Sequence, residues 1–136
     1  MSDAATLAGQ VAWITGGGSG IGLAGAIELA RAGCRVVVSG RDAAKLDAAL
    51  RSAVERGVGT GAISAEPLDV SDHDAVARVA ARIEAMHGGV DILVNSAGVN
   101  YPKRYWSQTD GATFEKVVAI NLNGAAYCTL AVLPGM

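Results

Sequence analysis

Thr15-Gly16-Gly17-Gly18-Ser19-Gly20-Ile21-Gly22 is the sharpest chemical signal in the chain. It follows an apolar run, Gln10 to Thr15, and opens a segment of helical period. A helix N-terminus presents unpaired N–H groups and roughly half a positive charge, so it attracts phosphate or pyrophosphate. Glycine lets the backbone turn tightly and approach such an anion closely. Gly16, Gly18, Ser19, Gly20, Ile21 and Gly22 are therefore candidate phosphate-contacting residues, with a glycine-rich packing turn as the competing reading. A literal GxGxxG, Gly20 to Gly25, lies too far inside the helix to be the turn itself. No Lys-Ser or Lys-Thr follows, which excludes a P-loop.

A second cluster, Ser39-Gly40-Arg41-Asp42, ends the next apolar run. In a dinucleotide site an acid here pairs with the ribose hydroxyls of NAD and repels the 2′-phosphate of NADP. Gly40 stands in the acid's place and Arg41 follows, a guanidinium able to hold a phosphate by two parallel hydrogen bonds. NADP(H) is the expected coenzyme ahead of NAD(H), against the alternative that Arg41 is an ordinary solvated loop residue. Asn121 lies among apolar residues spaced by three and four (Phe114, Val118, Ala125, Cys128, Val132). An amide on an apolar face must find hydrogen-bond partners, which predicts a structural or active-site network. No metal site is expected: His73 and His87 have no partner at ligand spacing and read as exposed helix residues.

These groups need a scaffold. The 136 residues suffice for one domain, 1–136, and 51% hydrophobic content excludes disorder. With 4% aromatic residues and a net charge of −2, nucleic acid is not an expected partner. The first residues, Met1 to Ala5, carry no cationic leader, and no apolar run reaches the ~18 residues that span a bilayer, so no membrane association is expected. Cys34 and Cys128 form no CxxC and read as reduced core cysteines of a cytoplasmic protein.

Four apolar runs alternate with helical segments. Strands are expected at Gln10–Thr15, Arg35–Ser39, about Gly61–Leu68 and Val90–Asn95. Helices are expected from about Gly20 to Ala32, from Asp42 to Arg56, from Ser71 or Asp72 onward with Val76, Val79, Ile83 and Met86 on one stripe, and unbroken from Asp110 to Leu133. Such alternation implies right-handed βαβ crossovers: an α/β, doubly wound, Rossmann-type parallel sheet with helices on both faces.

The motifs resemble those of the short-chain dehydrogenase/reductases. Thr15, Gly16, Gly20 and Gly22 match that family's Thr-Gly-x3-Gly-x-Gly. Leu68-Asp69-Val70 is similar to its Asp-Val pair, Asn95-Ser96-Ala97-Gly98 to its Asn-Asn-Ala-Gly with Ser96 departing, and Asn121-Leu122-Asn123-Gly124 to its active-site Asn segment. The resemblance implies coenzyme-binding roles for Asp69, Val70, Asn95, Ala97 and Gly98, with Asp69 near the adenine amino group. It implies a supporting catalytic role for Asn121. Asp69 also reads as a neighbour of the next helix, and Asn95 as a tie between strands. Gly40-Arg41 is similar to the NADP-preferring members, many of which also carry a basic residue where Ser19 stands.

The resemblance implies hydride transfer between a nicotinamide and a carbonyl or alcohol carbon of a small molecule. That reaction uses a Ser and a Tyr-x3-Lys, and Tyr101, Tyr105 and Tyr127 are followed four positions on by Tyr105, Thr109 and Ala131. The expected sheet is truncated relative to the full family fold, four strands in the order 3-2-1-4, with Ile92, Leu93 and Val94 at an uncovered edge. An apolar edge favours association, so a homo-oligomer or a complementing chain is expected. The alternative is a non-catalytic dinucleotide-binding or assembly module. Tyr101, Tyr105 and Trp106 read either as the lining of a substrate mouth or as loop anchors.

Overall fold

The computed structural model describes residues 6–136; Met1 to Ala5, where a cationic leader was looked for in the sequence, lie outside the described residues. The core elements are β1 (Val11–Thr15), α1 (Gly20–Arg31), β2 (Arg35–Gly40), α2 (Ala43–Glu55), β3 (Ile63–Pro67), α3 (His73–His87), β4 (Ile92–Asn95), α4 (Gly111–Val118) and α5 (Gly124–Val132). The sheet is parallel throughout, in the order β3-β2-β1-β4. Parallel strands covered on both faces bury every side chain, which is why Val11 to Thr15 read as an uninterrupted apolar run.

Alternate residues serve opposite layers. Ala12, Ile14, Val36 and Val38 pack beneath α1 and α2 with Ala26, Ile27, Leu46 and Ala53. Val11, Trp13 and Val37 pack beneath α3 and α5 with Val76, Val79, Ile83, Cys128 and Val132. A fully buried side chain of this kind contributes roughly 1.5–3 kcal/mol. Both cysteines are free and buried, and burial pushes the Cys128 thiol up to about 11. Asp42, Asp72 and Asp110 each cap a helix, accepting from Lys45, Ala75 and Thr113 backbone N–H groups. Asp91 closes the far end of the sheet, its carboxylate accepting from the Val11 N–H at 2.8 Å.

Four expectations are corrected. The C-terminal helix is not an uninterrupted α-helix: a π-helical turn occupies Ala119–Asn123. The extra residue in that turn breaks the stripe drawn through Phe114 and Cys128, so Phe114 is exposed while Cys128 and Val132 are buried. The helical stretch Gly111–Gly135 is long and apolar enough by length and composition to cross a membrane; here it lies on the sheet through Ile120, Cys128 and Val132. Met86 does not join the α3 stripe and is exposed. At 3.6 residues per turn the inward position after Ile83 falls on His87, which is half-buried rather than exposed. Among the described residues neither ring nitrogen of His87 has a hydrogen-bond partner. His73 is exposed as expected, edge-on to Tyr127.

Candidate functional site

The site forms where β1 and β4 separate at their C-terminal ends. After Thr15 the chain enters Gly16 at φ +65° and reaches α1 through Gly20 at φ +56°. These are left-handed conformations that strain side-chain-bearing residues. At Gly22 the constraint is contact: a Cβ there would lie 2.2 Å from the Gly16 carbonyl oxygen. The first turn of α1 is thus folded back onto the loop that precedes it. Ser19, in extended backbone, is the N-cap, yet its side chain makes no capping hydrogen bond, and the first turn holds no acid. The orphan N–H groups and the dipole of α1 are left for an anion. Ser19 and Ile21 are both exposed at this end of the helix.

Beside the turn lies a small cavity of about 110 Å³ lined by Gly16, Arg41, Asp69, Val70, Ala97 and Gly98, together with Ser39, Gly40, Leu68 and Ile120. Six candidate residues from four separate stretches of sequence therefore meet at one place. Ser39, in that lining, and Thr15, next to Gly16 in the chain, are buried polar residues. The Trp13 indole N–H donates to Ser39 Oγ at 2.9 Å, and the Ala97 N–H donates to Thr15 Oγ1 at 3.3 Å. Hydrogen bonds to Asp69 from the Ser71 hydroxyl and N–H hold its carboxyl below the usual range, and the Arg41 and Lys116 charges act in the same direction. An ionised carboxylate can accept a hydrogen bond from an amino group.

Asn95 and Asn121 lie outside this lining. The Asn95 amide donates to Thr129 Oγ1 at 3.2 Å, and the Thr129 hydroxyl donates to the Ala125 carbonyl at 2.8 Å, tying β4 to α5. Asn121 sits in the π-helical turn and is exposed, not buried on an apolar face. Its Oδ1 accepts from the Val99 N–H and its Nδ2 donates to the Val99 carbonyl, both at 2.8 Å. The amide closes the loop after β4 much as a neighbouring strand would. Asn121→Ala leaves both Val99 groups without that partner, and we expect a loss of about 1–3 kcal/mol in thermal unfolding, with faster hydrogen exchange at the Val99 amide.

Ser39, Leu68 and Ile120 were not singled out in the sequence. Ser39 had a legible signal, a hydroxyl in a β-branched strand that must be buried; Ile120 had none, because its inward direction follows from the π-helical turn. Tyr105 and Trp106 are largely exposed, and the Trp106 ring lies 6.4 Å from that of Phe114. A larger cavity, about 490 Å³, lies between α2 and the start of β3. Aliphatic Leu50, Ala53, Val54, Val58 and Ile63 dominate its wall, whereas Arg41 and Asp69 line the smaller one.

The family profile described as short chain dehydrogenase matches residues 10–136. The chain belongs to the short-chain dehydrogenase family. It is 40% identical over 112 residues to the probable oxidoreductase EphD of Mycobacterium tuberculosis, covering 82% of this chain and 18% of that protein. It is 37% identical over 121 residues to cis-4-hydroxycyclohexanecarboxylate dehydrogenase of Sinomonas cyclohexanicum, covering 88% of this chain and 46% of that one. A metagenomic short-chain oxidoreductase solved in complex with NADP superposes with a TM-score of 0.87 at 38% identity, over 96% of this chain and 57% of its own. The chain thus spans between 18% and 57% of the length of these three proteins. Its four-stranded sheet is a Rossmann-type core with β3 and β4 as its edge strands, and Ile92, Leu93 and Val94 of β4 are half-exposed.

Proposed function

We propose that the chain is the coenzyme-binding part of an NADP(H)-dependent oxidoreductase that interconverts a carbonyl and an alcohol on a small molecule. The observation that carries this is the pairing of an uncapped α1 N-terminus with a cavity whose β2 wall ends in Gly40 and Arg41 and has no acid. The cradle fits a dinucleotide: Gly16 and Gly22 leave no room for side chains, so the backbone can stand close to a pyrophosphate. Gly16, Gly18, Ser19, Gly20, Ile21 and Gly22 hold the phosphates on this reading. Asp69, Val70, Ala97 and Gly98 enclose the adenosine, and Arg41 takes the 2′-phosphate. Asn95 and Asn121 position the wall of the site through Thr129 and Val99.

When bound, the coenzyme's nicotinamide supplies or accepts the hydride. The acid–base work needs a Tyr whose pKa is lowered by a nearby Lys, and no Tyr-x3-Lys occurs within these residues. A further strand from the rest of the fold, or a second copy of the chain, takes up the β4 edge. Free thiols at both cysteines suit the reducing cytoplasm. The oxidoreductase names of longer relatives favour this reading over a purely structural module. Calorimetric titration of the 136-residue chain is expected to show NADPH binding about tenfold or more tighter than NADH, with no turnover of alcohols or ketones. Absence of binding to either coenzyme overturns the proposal.

A further inference from the structure

The reading of the site as an NADP(H) site leaves a charge problem, and the following inference rests on that reading. A phosphate monoester carries close to two negative charges at neutral pH, whereas Arg41 carries one positive charge. The glycine turn adds only the uncharged Ser19 at its rim. Lys116 of α4 also acts on Asp69, and the element packed against the glycine turn itself that can contribute a cation is the first turn of α2.

Leu46 determines where that turn sits. It is 1% exposed. Its Cδ2 lies 3.6 Å from the place a Cβ on Gly18 would occupy and 3.5 Å from the corresponding place on Gly40. One buried side chain therefore docks α2 against both the phosphate turn and the end of β2. The preceding residue, Lys45, follows from this docking: its Cβ lies 3.8 Å from the same position on Gly18. The lysine stem thus leaves the helix beside the turn that holds Ser19. Its backbone is pinned as well, because the Lys45 N–H donates to Asp42 Oδ1 at 3.2 Å. Lys45 and Arg41 are both exposed, and among the described residues neither forms an ion pair.

We propose that Lys45 is a specificity-determining residue of the coenzyme site, holding the 2′-phosphate of NADP(H) together with Arg41 in place of a cation at position 19. The two side chains divide the task by their shapes. Arg41 offers a planar fork for two phosphate oxygens, and Lys45 offers a compact charge on a flexible four-carbon stem that reaches the phosphate from the α2 side. NAD(H) has a hydroxyl at that point and gains little from an ammonium.

The test uses two probes, adenosine 2′,5′-bisphosphate and adenosine 5′-monophosphate, titrated calorimetrically into the unaltered chain and into Lys45→Gln and Lys45→Arg. The unaltered chain is expected to favour the bisphosphate. Lys45→Gln is expected to weaken the bisphosphate about fivefold or more with the monophosphate nearly unchanged, and Lys45→Arg to restore most of the loss. The salt dependence of bisphosphate binding should be shallower in Lys45→Gln, because one charge contact has gone. If the unaltered chain favours the bisphosphate and Lys45→Gln retains that preference, or weakens both probes equally, the role of Lys45 is overturned and the NADP(H) reading stands. If the unaltered chain shows no preference, the NADP(H) reading falls and the role of Lys45 falls with it.

Discussion

Gly22→Ala is expected to abolish detectable NADPH binding and to lower stability by up to about 3 kcal/mol. The added methyl would lie 2.2 Å from the Gly16 carbonyl oxygen and 2.8 Å from the Gly16 carbonyl carbon. Both are backbone atoms, so no rotamer change relieves the overlap. Either α1 withdraws from the turn or the turn opens, and each movement takes the N–H groups away from the phosphates. A paired variant separates this from a general helix effect. Gly25 lies one turn further along α1 with open space around it. Gly25→Ala should bind NADPH normally and gain about 0.5–1 kcal/mol from reduced unfolded-chain entropy. Calorimetric titration, with circular dichroism to confirm folding and thermal melts for stability, measures both. A Gly22→Ala chain that binds like the unaltered one would show that the turn is packing only.

Arg41→Asp is expected to weaken NADPH about 10- to 100-fold, from the loss of charge-assisted hydrogen bonds worth roughly 1.5–3 kcal/mol at about 1.4 kcal/mol per decade. Repulsion between the new carboxylate and the phosphate adds to this. NADH should be nearly unaffected, since it has no 2′-phosphate to lose a contact, and the acid's own place is position 40. The exchange is mild for the fold: Arg41 lies at the exposed end of β2, outside both core clusters. Dissociation constants for the two coenzymes, measured on both chains, decide the matter. Retained NADPH affinity in Arg41→Asp would remove Arg41 from the site.

Local chemistry made much of this protein readable in one dimension. The element sequence follows from apolar runs bounded by glycines and by capping acids such as Asp42 and Asp72, and every strand lies within two residues of its expected span. The glycine turn was legible because few other local structures need so many small residues between a buried strand and a helix. Arg41 was legible as a charge at a strand end, where a doubly wound sheet gathers its ligands, and Asp69 was legible only through the family resemblance of Leu68-Asp69-Val70. His87 and Met86 were assigned to the wrong faces because one residue of helical phase separates inward from outward.

The order of residues by itself determined that the chain alternates strand and helix, that a glycine-rich turn follows β1, and that β2 is followed by a cation, Arg41. Only the tertiary structure decided that Leu46 brings Lys45 up to Gly18, that Asn121 turns to Val99 from a π-helical turn, and that Ile120 faces the cavity. The division has one physical cause. Strand period, capping and glycine conformation act between neighbours in the chain, whereas docking distance and helix rotation depend on close packing between residues far apart in it.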